Sequence, residues 1–228
     1  MSARVLVVDD ELQILRGLKV ILRQAGYEVA VAATKAILPH FRERRGGMFV
    51  NISSAIGLVT APYLAAYAAS KHALKAFSES LRDEVRELNI DVSVVYPTST
   101  DTPLFEHTAN YTGKAVRPAE PVYKVSDVAD AILATIESPR RDVIIGAAKG
   151  MSAFHTVAPS LFDRVMSRKM DEGHFLPRAQ GPTEGNLWEP MHQGRGSDAG
   201  WYRPKRARKL AFALALVAVP LLVRALRA

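Results

Sequence analysis

The sequence predicts a doubly wound α/β fold built on a mostly parallel, five-stranded sheet, and three observations lead there. Short apolar runs of strand length recur at residues 5–8, 27–32, 48–53, 90–96 and 142–146. Longer stretches with helical periodicity separate them, the alternation expected of strand–helix–strand units. Composition agrees, since 48% hydrophobic and 23% charged residues in a chain of 228 suit a packed domain rather than a disordered one.

Taken in order, Val5-Leu6-Val7-Val8 is apolar throughout, as a strand buried on both faces requires. Residues 11–25 place Leu12, Leu15, Leu18, Ile21, Leu22 and Ala25 on one helical stripe with Arg16, Lys19 and Arg23 opposite. Gly26 suits a left-handed cap at the end of that helix. Residues 27–32 predict the second strand, 33–44 a helix bent at Pro39, and Gly46-Gly47 the turn into the third strand at 48–53. A long helix over about 63–88 precedes the fourth strand at 90–96. Ser126 predicts the cap of a helix running to Ile136, with Asp127 and Asp130 in its first turn. Residues 142–146 supply the fifth strand, and 151–170 a helix broken near Pro159. The stretch 172–200, rich in glycine, proline and polar residues, predicts a linker or flexible lid.

Charge and cysteine content exclude several functions. The chain has no cysteine, which rules out disulfides, thiolate metal sites and cysteine nucleophiles. Its formal charge of +7 is local: seven of the 30 basic residues lie at or beyond Arg203 with no acid among them, leaving 23 basic against 23 acidic residues in the rest. A neutral body offers no face for a phosphate backbone, so no nucleic-acid partner is expected. The six histidines show no ligand spacing, so no metal site is expected either. The basic residues of the tail flank an apolar run at 210–223, with Trp201 and Tyr202 just upstream. This pattern predicts a hydrophobic membrane-anchor helix over 209–228, lengthened by snorkelling of Arg224 and Arg227. Five basic residues precede the run and two follow it, which places the main domain on the cytoplasmic side. No secretory leader is legible, because Val5–Val8 runs straight into Asp9-Asp10.

The residues with readable chemistry lie between Gly46 and Lys71. In Tyr67-Ala68-Ala69-Ser70-Lys71 a tyrosine and a lysine stand four apart on a predicted helix and share one face. An ammonium beside a phenol favours the phenolate, which suits a group that gives a proton to a carbonyl or takes one from an alcohol. Ser54, at the end of the third strand, is placed to hydrogen-bond the same substrate oxygen.

The run Asn51-Ile52-Ser53-Ser54-Ala55-Ile56-Gly57, followed by Pro62 and by Tyr67 through Lys71, closely resembles the short-chain dehydrogenase/reductase family, including its spacing between serine and tyrosine. The resemblance extends over about residues 33–200, from Ala33-Thr34-Lys35 through Asp91-Val92-Ser93-Val94-Val95-Tyr96-Pro97 and beyond. It implies a Rossmann/flavodoxin-like fold, NAD or NADP as cofactor, and a small-molecule carbonyl or alcohol as substrate. By the same resemblance Ser54, Tyr67 and Lys71 are catalytic. Tyr67 and Lys71 also bind the cofactor, together with Pro97 and Thr102 of a loop that in the family contacts the nicotinamide carboxamide. Thr98 stands where that loop ordinarily has glycine. A homo-oligomer through the 63–88 helix is a further expectation.

The family's glycine-rich turn after the first strand, its Asn-Asn-Ala-Gly segment and its auxiliary asparagine have no counterpart in this sequence. Residues 1–32, with Val5-Leu6-Val7-Val8-Asp9-Asp10-Glu11 and Gly26-Tyr27-Glu28-Val29, resemble instead the start of a response-regulator receiver domain, without its acceptor aspartate. The expected organisation is a receiver-like strand–helix–strand at 1–32, the C-terminal part of a dehydrogenase domain at 33–171, a linker with a basic stretch at 172–208, and the anchor at 209–228. Joined in one sheet, the five strands would take the order 2-1-3-4-5. Asp9 and Asp10 would then oppose the phosphates of a dinucleotide, so the expectation is an oxidoreductase that is impaired or inactive, a truncated or chimeric relative of the family. The alternatives are a non-catalytic α/β module or fusion product and, third, a receiver-like signalling domain.

Overall fold

A computed structural model describes residues 5–8, 27–185 and 196–203. Among these, four parallel strands form one sheet. They are β1 (Val5–Val8), β2 (Gly47–Ile52), β3 (Ile90–Tyr96) and β5 (Asp142–Ile144), hydrogen-bonded in the order β1-β2-β3-β5. Val8 pairs with Asn51, and Asn51 in turn with Val94. This is the predicted arrangement without its outermost strand.

That missing strand is a correction. Residues 27–32 do not form a strand but open helix α1 (Tyr27–Arg44), which contains Pro39. The apolar run in that stretch is short, and a helical period that extends beyond it overrides it. Ala30, Thr34 and Phe41 are all buried at helical spacing, with Ala30 against Leu74 and Phe41 against Phe49. The receiver-like strand–helix–strand reading loses its second strand on this ground. Its helix at 11–25 and Asp9-Asp10 lie outside the described residues.

The sheet is covered on both faces because β2 alternates. Phe49 packs with Phe41, Leu81, Val85 and Val92 beneath α1 and α2 (Ala65–Glu84). Met48, Val50 and Ile52 point the other way and join Val95 and Val143 beneath α4 (Val125–Glu137). Period-two side chains between two helical layers are what a doubly wound sheet requires. α2 stops short of the predicted helix end, and a single tight turn, Arg86–Leu88, leads to Asn89 in the left-handed region before β3 begins.

The start of α4 also differs from expectation. Ser126 lies inside it, and the Asp127 carboxylate accepts from the backbone N–H of Lys124 instead. The predicted break at Pro159 separates α5 (Ala148–Val157) from α6 (Pro159–Gly173), with proline tolerated in the first turn of the second helix.

A second, smaller layer lies over the strand ends. After the short helix α3 (Leu104–His107), β4 (Lys114–Val116) pairs antiparallel with β6 (Phe175–Ala179). Part of the predicted linker is therefore a strand. Its composition hid Phe175, whose ring meets Tyr63 and the buried His174 edge-on. The predicted anchor at 209–228 lies outside the described residues, and no helix among those described is long and apolar enough to cross a membrane.

Candidate active site

The chain leaving β2 stays zipped to the chain leaving β3. Ser53 N donates to Val95 O at 2.8 Å and Ala55 N donates to Pro97 O at 2.7 Å. Ser54 sits between these two bonds with extended backbone, and its hydroxyl accepts from Ile56 N at 3.2 Å, capping the tight turn Ala55–Gly57. That turn packs directly on α2. Gly57 permits the approach, since a Cβ there would collide with Ser53 Oγ and stand 3.0 Å from Lys71 O. Ser53 fastens the same junction by donating to Lys71 O at 3.1 Å.

Tyr67 and Lys71 occupy adjacent turns of α2, as their spacing predicts. Lys71 is 1% exposed, an unusual burial for an ammonium. Its Nζ donates to Ile52 O at 3.2 Å and lies 5.5 Å from the centre of the Tyr67 ring. Tyr67 itself is half-buried. A cation held at the face of a phenol, beneath the mouth of the sheet, can bias that phenol toward giving or accepting a proton.

Asn51 lies in β2, and Pro97 and Thr102 lie in the loop after β3, where Pro97 O accepts from Ala55 N. Asn51 is fully buried in the centre of the sheet and donates through Nδ2 to Ser78 Oγ at 2.8 Å, bracing β2 against α2. Pro97 and Thr102 are half-buried, and Thr102 N donates to Thr100 O at 2.9 Å. Thr98 Oγ1 is buried with no hydrogen-bond partner among the described residues. Two contributors escape sequence reading: Ser53, as the fastening between turn and helix, and Asp101, a loop carboxylate that is nonetheless buried. Nothing local marks either one, because their partners lie far along the chain.

Comparison with known proteins bears on this arrangement directly. The short chain dehydrogenase family model matches residues 26–112, the stretch holding the turn, α2 and the loop after β3. This segment is similar to the short chain dehydrogenase family. An uncharacterized oxidoreductase, YxnA, of Bacillus subtilis (strain 168) is 33% identical over 186 residues, covering 77% of this chain and 51% of its own length. Dehydrogenase/reductase SDR family member 7B of Bos taurus is 36% identical over 159 residues, covering 64% and 47%. The chain thus spans about half the length of the curated relatives it matches. Among solved structures, a short chain dehydrogenase from Burkholderia cenocepacia J2315 in complex with NADP superposes with a TM-score of 0.57 at 22% identity, covering 71% of this chain and 68% of that one. A short chain dehydrogenase/reductase from Burkholderia phymatum in complex with NAD gives 0.50 at 20% identity, covering 61% and 57%. These likenesses establish the Rossmann-like dehydrogenase fold.

Proposed function

We propose that this chain is an oxidoreductase of the short-chain dehydrogenase/reductase type that uses NAD or NADP to interconvert a small-molecule carbonyl and alcohol. The observation that carries the reading is the buried Lys71 ammonium, held by Ile52 O at 3.2 Å and poised 5.5 Å from the Tyr67 ring. A buried cation is costly unless it has partners and a task, and here it stands beside a titratable phenol at the carboxyl ends of parallel strands. When bound, the nicotinamide supplies or takes up hydride.

The residues present fit the nicotinamide end of such a cofactor. Thr98 offers a buried hydroxyl with hydrogen-bonding capacity to spare. Tyr67 and Lys71 on α2, with Pro97 and Thr102 in the loop after β3, would hold the ribose and carboxamide. The Tyr67 hydroxyl moves the proton to or from the substrate oxygen, the Lys71 ammonium favours the phenolate, and the Ser54 hydroxyl orients that oxygen. Asp9-Asp10, which follow β1 in sequence where a glycine-rich turn would favour phosphates, support a nucleotide affinity below that of a chain with such a turn. Titration of the full chain with NADH and NADPH by fluorescence or calorimetry tests the proposal. Saturable binding is expected. Silence up to millimolar nucleotide would instead favour a non-catalytic α/β module.

A further inference from the structure

The segment 199–202 reaches back to the loop that follows β3. Asp101 is only 6% exposed, and three backbone N–H groups, 98 to 101 residues later in the chain, donate to its carboxylate. Ala199 N and Trp201 N approach Oδ1 at 3.1 and 2.8 Å, and Tyr202 N approaches Oδ2 at 3.2 Å. Amides converging on one anion form a nest, and hydrogen bonds to an ionised acceptor are stronger than neutral ones. Gly200, between the donors, has φ +74, which lets the backbone turn its amides to one side. The Lys124 ammonium lies 5.0 Å from the centre of the Tyr202 ring and pins the strap to the next segment.

The loop itself is held at both ends. At its start Pro97 O accepts from Ala55 N, the residue after Ser54. Further on, Asp101 N donates to Tyr123 O and Tyr123 N donates to Ser99 O, each at 2.8 Å. A buried carboxylate facing three amides then ties this ladder to the strap, one residue before Thr102.

We infer that Asp101 is a positioning residue: by capturing the amides of 199–202 it holds the 97–102 loop in the shape that receives the nicotinamide carboxamide, so the distal part of the chain completes the cofactor site. The inference rests on the proposed function for its cofactor, while the clamp stands on geometry alone. Asp101→Ala removes all three bonds. Asp101→Asn retains an acceptor but sets an amide donor against one N–H. Gly200→Ala strains the strap without touching Asp101.

The test uses the full chain and two measurements, amide hydrogen exchange and the Kd for NADH and NADPH. In Asp101→Ala, exchange at 199, 201 and 202 should quicken by about tenfold or more, and the Kd should rise about tenfold, the worth of one charge-assisted bond. Asp101→Asn and Gly200→Ala should move both readouts the same way by less, with Tm nearly unchanged. Unprotected amides in the unsubstituted chain would overturn the clamp. Faster exchange with an unaltered Kd would overturn the positioning role and leave a structural fastening. Protected amides in a chain that binds neither nucleotide would overturn the proposed function and the positioning role together, and the clamp would stand apart from both.

Discussion

The sheet side and the lid side of this molecule are built differently. In β2 and β3 nearly every residue is buried, and the two strands pair over six consecutive positions from Gly47–Ile90 to Ile52–Val95. In the lid, β4 and β6 have three and five residues, the pairing slips between Lys114 and Val116, and β6 has no buried residue. The first region holds itself by area, the second by a few bonds that close long loops. The residues proposed to handle the proton ride on the first, where side-chain positions are over-determined. The loop proposed to meet the cofactor depends on the second, which can open at lower cost.

The largest expected effect tests the chemistry on the rigid side. Tyr67→Phe keeps the ring beside Lys71 and removes only the hydroxyl, so turnover should fall by roughly 10²–10⁴-fold while NADH or NADPH binding persists. Steady-state assays with a panel of ketones and alcohols would show this, and retained turnover would remove the tyrosine from its role.

Next comes stability, which separates the two regions quantitatively. Phe49→Ala, at a fully buried position between α2 and the sheet, should cost about 3–5 kcal/mol in denaturant unfolding. Phe175→Ala removes a half-buried ring packed edge-on to Tyr63 and should cost about 1 kcal/mol. Equal losses would erase the distinction between a core that holds by area and a lid that holds by contacts.

The smallest effect sharpens it through pH. His174 is buried in the lid against Phe105 and Phe175, and burial pushes its pKa below the ordinary histidine value. The unfolded chain therefore binds more protons near neutrality than the folded one, so this contribution is full above about pH 6.5 and is lost as pH falls. Melting curves from about pH 8 to about pH 5 should show an acid-sensitive lid that His174→Leu makes less sensitive, and an unchanged acid slope in that variant would exclude the histidine.

Much of the candidate site could be read before the fold was known because its signals are local. Tyr67 and Lys71 meet because four residues make about one helical turn, and Ser54 closely follows a strand whose burial its own apolar run announces. The strand at 27–32 failed for the same reason, since a six-residue apolar run suits helix and strand alike and the later members of its helical stripe, Thr34 and Phe41, lie beyond the window. The cap at Ser126 failed because the helix starts one residue earlier, at Val125, which puts Ser126 inside the first turn while Asp127 reaches back to Lys124 N.

Periodicity and residue chemistry alone determined four of the strands, the long helices between them and the tyrosine–lysine pair, because each depends on neighbours within a turn or a pleat, whereas the expected strand order came from resemblance to doubly wound folds. Only the tertiary structure decided that Lys71 would be buried against Ile52 O, that Gly57 must be bare, and that Asp101 would close on amides about a hundred residues away. Those contacts join segments whose separation along the chain carries no periodic signal, and their energy exists only once the sheet has brought the segments together.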